Sequence, residues 1–352
     1  MITSKSRLLR KMHINYFFRK LVFIVFFMLL FPFGMVSQVK EMSINLENYN
    51  YPFEVQYLKL AIQKEEYSMA FMDVKPEKPN GKTIVLFHGK NFNGSYWKQT
   101  ADTLLKKGFR VIIPDQIGFG KSSKPKYFQY SFQQLAMNTK VLLDSLQVTK
   151  TVLIGHSMGG MLAVRFSLMY PETVSKLILE NPIGLEDYKV KVPYQSIDAL
   201  YKKELKQNYD GMKKYQLQFY YDNKWKPEYD EWLNTLAGLT LNKKYPIIAW
   251  NNALTTDMIL TQPIVYELEN IKSPTLLIIG QRDRTSLGKD LVAADVRESM
   301  GNYPELGRKT KTKIPNSELV EIDNIGHLPH IESFDTFIQP VLKFIEKLIN
   351  HN

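Results

Sequence analysis

The sequence predicts an α/β fold with a mostly parallel central sheet, flanked by helices and carrying a helical insertion. From about residue 53 onward, short apolar segments typical of strands alternate with amphipathic segments typical of helices. Such repeated strand–helix units favour parallel pairing. One stretch, residues 185–262, lacks strand-like runs and is rich in aromatic residues and helical spacing. A chain of 352 residues is long enough for one large domain with an insertion of this size.

Eight segments have the short apolar or alternating pattern of strands. In chain order they are residues 53–62, 67–76, 83–89, 110–115, 151–155, 176–181, 275–280 and 318–322. The first two are predicted to pair antiparallel, and the turn-forming sequence EKPNGK follows the second. The helices predicted to flank the sheet are residues 96–108, 132–146, 158–172 and 333–349.

The predicted organisation has four parts. Residues 1–37 form an N-terminal signal peptide or anchor, and residues 38–184 form the first part of the α/β core. Residues 185–262 form a helical cap, and residues 263–352 return to the core.

The N-terminal part combines a basic region with an apolar run. Its six basic residues are Lys5, Arg7, Arg10, Lys11, Arg19 and Lys20, and no acidic residue precedes Glu41. The apolar run, residues 21–36, is short for a membrane span and is interrupted by Pro32. We therefore expect a cleaved export signal and a periplasmic protein. Because Met35 fits the small-residue cleavage rule poorly, an inner-membrane anchor over residues 21–36 is the alternative, and it would be the sole membrane contact.

Composition excludes several classes of function. The chain has 46 Lys and Arg against 35 Asp and Glu, and without the first 37 residues it keeps 40 against 35, a net charge of +5 rather than +11. No nucleic-acid-binding motif accompanies this small excess, so we expect no nucleic-acid partner.

The absence of cysteine excludes disulfides, thiolate metal sites and a cysteine nucleophile. The glycine-containing loop at residues 114–125 meets no phosphate-binding pattern, and we expect neither a cofactor nor a metal.

The strongest motif is Gly155-His156-Ser157-Met158-Gly159, which fits the pattern G-x-S-x-G. It lies between an apolar strand and a helix, where a sharp turn projects the serine hydroxyl above the carboxyl end of the sheet. The amides and dipole at the start of the helix that follows favour developing negative charge. The pattern therefore predicts Ser157 as a nucleophile.

The chain resembles the α/β-hydrolase superfamily, in its cap-bearing branch. The resemblance covers about residues 53–348 and rests on LFHG, PDQIGFGKSSKP, GHSMGG, GQRD and GHLPHIE in that order. The chain is similar to the haloalkane dehalogenases and epoxide hydrolases, but those enzymes use an aspartate where this chain has Ser157. The resemblance implies a serine hydrolase with the triad order Ser, acid, His.

The general base is sought among six histidines. Four are set aside by their position in the sequence: His13, His88, His156 and His351. Of the other two, His327 occupies the family's position and is implied as the base, whereas His330 is expected to line the pocket or to pack.

The resemblance also implies the acid and the oxyanion hole. Asp283, in Gly-Gln-Arg-Asp after residue 280, is implied as the acid, and Glu180 after the sixth strand is the alternative. The backbone amides of Lys90 and Met158 are implied as the oxyanion hole. His88 is expected to brace the loop that carries Lys90, whose ammonium is expected to point into solvent rather than to add positive potential at the pocket mouth.

The cap is expected to pack mainly on itself, with a few aromatic side chains facing Ser157. Trp225 and Trp232 are expected to line the resulting apolar substrate pocket, together with His330. The implied reaction is hydrolysis of an ester, lactone or amide of a small-to-medium apolar acid through an acyl-enzyme. The same triad leaves four alternatives open: acyl transfer, carbon–carbon bond hydrolysis, cofactor-free perhydrolysis, and a non-catalytic ligand-binding role.

Overall fold

The computed structural model describes residues 39–347, and the predicted signal or anchor lies outside these described residues. Its centre is an eight-stranded sheet with the order β1-β2-β4-β3-β5-β6-β7-β8. The strands are β1 (Gln56–Ile62), β2 (Glu65–Val74), β3 (Thr83–Phe87), β4 (Arg110–Pro114), β5 (Thr151–His156), β6 (Val174–Glu180), β7 (Thr275–Gly280) and β8 (Ser317–Ile322). β2 pairs antiparallel with β1 and β4, and all other neighbours are parallel. The predicted fold class is confirmed.

Eleven α-helices surround this sheet within residues 39–347. They are α1 (Lys98–Lys106), α2 (Phe132–Ser145), α3 (Met158–Met169), α4 (Ile197–Glu204), α5 (Tyr209–Phe219), α6 (Asp230–Thr240), α7 (Tyr245–Thr261), α8 (Ala294–Ser299), α9 (Tyr303–Lys313), α10 (Pro329–Glu332) and α11 (Phe334–Glu346). The sequence analysis missed α8 and α9, which have few buried apolar residues and so a weak periodic pattern. None of the helices in the described part of the chain combines the length and apolarity needed to cross a membrane.

The central strands are mainly apolar and buried because helices cover both faces of the sheet. Every residue of β5 and β7 is buried. One face packs against α2 and α3, with Leu135 and Leu162 in its core. The other packs against α1 and α11, with Trp97 and Phe337 in its core. Because β5, β6, β7 and β8 are parallel neighbours in that order, their carboxyl ends lie at the same edge of the sheet, where the site is built.

Four α-helices, α4 to α7, occupy the chain between β6 and β7. The segment just before β1 runs across them: the Met42 amide donates to the Gly238 carbonyl oxygen at 2.9 Å, and the Tyr49 hydroxyl donates to Glu231 at 2.6 Å. The N-terminal segment of the described chain thus links these helices to the core.

Candidate active site

The turn between β5 and α3 holds Ser157 in a backbone conformation that L-residues rarely adopt, with φ 55° and ψ −119°. The turn is so tight that a Cβ on Gly155 would lie 2.3 Å from the Gly159 carbonyl oxygen, and one on Gly159 would lie 2.3 Å from the Phe87 carbonyl oxygen. Only glycine fits at either position. The G-x-S-x-G pattern is therefore a steric requirement for presenting the Ser157 hydroxyl above the sheet.

Three predicted residues from separate loops meet at this turn. The Ser157 Oγ lies 2.9 Å from His327 Nε2, and His327 Nδ1 lies 2.7 Å from Asp283 Oδ2. Asp283 follows β7 and His327 follows β8, so the parallel order of the strands brings both beside Ser157. All three side chains are buried. The geometry is that of a nucleophile, a base and an orienting acid.

Both side-chain oxygens of Asp283 accept hydrogen bonds. Besides His327, its Oδ2 accepts from Asn181 Nδ2 at 2.7 Å, and its Oδ1 accepts from the Thr285 amide at 2.7 Å. Asn181, which follows β6, also accepts from the Gly280 amide through its Oδ1 at 2.9 Å. Sequence reasoning missed Asn181. Its position as a polar residue directly after a buried strand was the available signal.

Glu180, the alternative acid, contacts a different histidine. Its Oε1 accepts from both the backbone amide and Nδ1 of His330, each at 2.8 Å. Because successive residues of a strand point to opposite faces, Glu180 and Asn181 serve opposite sides of the site. The structure therefore pairs His327 with Asp283 and not with Glu180.

His330 does not line the cavity in front of Ser157, so its expected role in the substrate pocket is wrong and the alternative, that it packs, is what the structure shows. Its ring is buried and stacks on Trp97 with a centroid distance of 4.4 Å. The sequence placed it near the site, but its side chain points behind the site into the core.

A residue from the segment between β6 and β7 holds the other side of His327. The Tyr220 ring stacks on the His327 imidazole with centroids 5.1 Å apart and planes 24° from parallel. Glu332 holds the loop before His327, since it accepts from the Gly326 amide at 2.7 Å and pairs with Arg282. Burial raises the pKa of the Glu332 carboxyl despite these contacts.

The loop after β3 brings a second backbone amide to the site. Within the described residues, neither the Lys90 amide nor the Met158 amide donates to a protein acceptor. Met158 begins α3, so its N–H is among those a helix leaves free. His88 braces the loop as expected: its Nε2 accepts from the Gln116 amide at 3.0 Å and its Nδ1 donates to the Gly89 carbonyl oxygen at 2.9 Å. Burial lowers the His88 pKa, which keeps the ring neutral.

A cavity of about 420 Å³ opens in front of Ser157 and His327. Its apolar walls come both from the segment between β6 and β7 and from the rest of the chain. The lining residues from that segment include Leu200, Met212, Tyr215, Phe219, Tyr220 and Tyr245. Trp225 and Trp232 are absent from its lining, so their predicted role is wrong. Trp225 donates to Asp230 at 2.7 Å, and Trp232 packs on Tyr96 beside a separate small cavity.

The cavity lining includes polar and charged side chains, which corrects the expectation of an apolar pocket. Lys90 lines it with a side chain only 13% exposed, so the ammonium does not point into solvent. Its Nζ lies 3.7 Å from Glu204 Oε1 and 3.5 Å from Asn91 Oδ1. Asn252 donates to the other Glu204 oxygen at 3.3 Å. Among residues 39–347, these two long contacts are the polar contacts of the Lys90 ammonium.

Across residues 39–347 there is no group of three or more side chains of the kinds that could hold a metal ion.

Comparison with known proteins agrees with this geometry. The family model for the alpha/beta hydrolase fold matches residues 82–334. The chain belongs to the α/β-hydrolase fold family. A solved structure of a probable hydrolytic enzyme from Pseudomonas aeruginosa PAO1 is 47% identical, covers 88% of this chain and all of that one, and superposes with a TM-score of 0.87.

More distant relatives have assigned substrates. A 2-hydroxy-6-oxononadienedioate/2-hydroxy-6-oxononatrienedioate hydrolase of Paraburkholderia phymatum is 29% identical over 75% of this chain and 87% of its own length. The enol-lactonase of Burkholderia xenovorans LB400 shares the fold at 20% identity, covering 82% of this chain and all of that one with a TM-score of 0.61. This member of the family is a hydrolase, and the expectation of a serine hydrolase stands.

Proposed function

We propose that this hydrolase cleaves esters, lactones or amides of small-to-medium apolar acids, with Ser157 as nucleophile, His327 as base and Asp283 as acid. The single observation that carries the proposal is the continuous hydrogen-bond chain from Ser157 through His327 to Asp283 at the floor of a cavity. In this series of hydrogen bonds, His327 is placed to accept the Ser157 proton, and Asp283 is placed to hold the His327 ring.

The chemistry follows from the contacts. His327 Nε2 takes the Ser157 proton as Oγ attacks the substrate carbonyl, and the Asp283 carboxylate stabilises the imidazolium that forms. The Lys90 and Met158 amides donate to the oxyanion. The tetrahedral intermediate collapses and expels the alcohol or amine, which takes its proton from His327. Water then attacks the acyl-enzyme carbonyl and gives a proton to His327. The bond to Ser157 Oγ breaks, Oγ recovers that proton from His327, and the acid is released.

The cavity supports this substrate class. A volume of about 420 Å³ is in the range that holds small ligands, and its apolar cap walls suit an acyl chain. The aromatic contact of Tyr220 with His327 gives the cap a direct role in closing the site.

A second candidate is hydrolysis of a carbon–carbon bond in a substrate that carries carboxylates. The observation that favours it is the Lys90 ammonium, held inside the cavity with only long contacts. Several curated relatives are hydrolases of a dienedioate, which carries two carboxylates, and the same triad is compatible with that chemistry.

We also propose that the protein is exported. The basic region and the apolar run in the first 37 residues support this, with retention as an inner-membrane anchor over residues 21–36 as the alternative.

The deciding experiment is covalent labelling with a fluorophosphonate probe, together with turnover of p-nitrophenyl esters. Ser157→Ala should abolish labelling and lower kcat by several orders of magnitude. Ser167→Ala is the matched control, because Ser167 is also buried and lies on the helix that follows Ser157, and its hydroxyl donates to the Ala163 carbonyl oxygen, away from the triad. Labelling and turnover that survive in Ser157→Ala would end the proposal.

A further inference from the structure

Three hydrogen bonds connect the loop after β3 to the His327 loop behind the site. The Gly89 amide lies 2.8 Å from the Tyr96 hydroxyl, which lies 3.0 Å from His156 Nδ1. His156 Nε2 in turn lies 2.8 Å from the His327 carbonyl oxygen. The chain therefore runs from the residue before Lys90, through the middle of the nucleophile turn, to the backbone of the base.

The direction of each bond is fixed by its ends. A carbonyl oxygen only accepts, so His156 Nε2 carries the proton and Nδ1 is the acceptor. The Tyr96 hydroxyl must then donate to His156, which leaves its oxygen to accept from the Gly89 amide. Each hydrogen-bonding group has one partner of the correct kind, and no water is needed to complete the chain.

The surroundings keep both side chains neutral and immobile. Burial lowers the pKa of His156 well below its usual value, and the neighbouring His327 and His330 lower it further. Burial and the Glu180 charge raise the Tyr96 pKa well above its usual value, so the hydroxyl keeps its proton. The Tyr96 ring stacks on Phe92 at 5.0 Å and meets the His330 ring edge-on at 4.6 Å.

Gly89 touches the same histidine directly. A Cβ on Gly89 would lie 2.9 Å from His156 Nδ1 and 3.1 Å from Ser157 Cβ, so the loop passes against the nucleophile turn at the closest approach glycine allows. A small displacement of this loop would move the Lys90 amide relative to Ser157.

We propose that Tyr96 and His156 are positioning residues that hold the oxyanion loop and the His327 loop at a fixed separation. The inference rests on the proposed function, since it assumes that the Lys90 amide stabilises an oxyanion. Without the Tyr96 hydroxyl, the Gly89 amide and His156 Nδ1 both lose their partner in a buried region, and the loop shifts to recover one. Tyr96 touches no reacting atom; it acts through Gly89 and His156.

The test compares Tyr96→Phe with Tyr130→Phe. Tyr130 is the matched control, because it is equally buried and donates to Asn251 at 2.6 Å, away from both loops. The measurements are kcat and KM for a p-nitrophenyl ester, the Kd of phenylboronic acid, which forms a tetrahedral adduct with a serine nucleophile, and the melting temperature. Tyr96→Phe should lower kcat about 10- to 100-fold with little change in KM.

Boronate affinity separates positioning from simple stability. It should fall with kcat in Tyr96→Phe, because both depend on the oxyanion donors. Tyr130→Phe should lower the melting temperature by a similar amount and leave kcat and boronate affinity near the wild-type values. A Tyr96→Phe enzyme that is folded, with kcat and boronate affinity within about twofold of wild type, would overturn the proposal.

A second variant, His156→Phe, breaks the chain at its centre. Its decrease in kcat should have the same cause as that of Tyr96→Phe. The double variant should therefore lose far less kcat than the product of the two single fold-decreases. Fold-decreases in kcat that multiply in the double variant would mean that Tyr96 and His156 do not act as one bridge. If one single variant fails to fold, kcat of the other tests the proposal. Turnover of the wild type and of Ser157→Ala is measured first. If the wild type has no turnover that depends on Ser157, the proposed function is wrong; if it has such turnover but Tyr96→Phe leaves it unchanged, only the positioning role is wrong.

Discussion

Asparagine in place of Asp283 should disable this enzyme while leaving it folded. The carboxylate accepts three hydrogen bonds, from His327 and Asn181 on one oxygen and from Thr285 on the other. An asparagine side chain has one oxygen and one NH₂ group. Because every partner of Asp283 is a donor, the NH₂ group must face a donor and cannot bond to it. If the NH₂ faces His327, the imidazole adopts the tautomer in which Nε2 carries the proton and cannot accept from Ser157. If the oxygen faces His327, the imidazolium loses its counter-charge.

The expected magnitude follows from these contacts. One unsatisfied buried group costs about 1–3 kcal/mol, which lowers Tm by a few degrees in a domain of this size. The wrong tautomer raises the barrier by about 5.5 kcal/mol, a loss of about 10⁴-fold in kcat. The assay is kcat for a p-nitrophenyl ester, with Tm from a thermal melt.

Glu180→Gln is the matched control for this change. Glu180 is equally buried, but within the described residues its side chain accepts only from His330, so its replacement should lower Tm without changing the His327 tautomer. We expect kcat within about tenfold of wild type. A nearly silent Asp283→Asn together with a crippling Glu180→Gln would refute the assignment of the acid.

Three further predictions concern the substrate and the N-terminus. For p-nitrophenyl esters, kcat/KM should rise several-fold with each added acyl carbon until the cavity is full, since a buried methylene contributes about 0.8 kcal/mol; a flat series or a preference for acetate would mean that the cap aromatics only pack. Lys90→Met should lower the ratio of kcat/KM for mono-p-nitrophenyl glutarate to that for the neutral butyrate about tenfold, and Glu204→Gln should raise it; equal ratios in all three proteins would exclude an anion site at Lys90. Expressed in a Gram-negative host, the protein should be recovered from the periplasm beginning at or near Gln38, whereas an intact mass that retains Met1 in the membrane fraction would support the anchor.

The elements of the core could be predicted because their signals are local. A continuous apolar run such as Thr151–His156 marks a strand covered on both faces, and the glycines around Ser157 mark a turn too tight for side chains. The order of strands and helices then places Asp283 and His327 after β7 and β8. Helices α8 and α9 escaped prediction because they bury few apolar residues.

The pocket could not be predicted in the same way. Aromatic residues in the helical insertion satisfy the same pattern whether they face the cavity or the cap's own core. The packing of α4 to α7 turned Tyr215, Phe219 and Tyr220 toward the cavity and kept Trp225 and Trp232 out of its lining.

The sequence by itself determined the fold class, the nucleophile turn and the chain order of the triad residues, because each depends on a few consecutive residues or on strand order. Only the tertiary structure decided which carboxylate meets His327, where His330 points, and that the Lys90 ammonium lies inside the cavity. It also brought together Gly89, Tyr96 and His156. These contacts join residues 7 to 171 positions apart, and they depend on the direction of each side chain in the packed core, which no local pattern encodes.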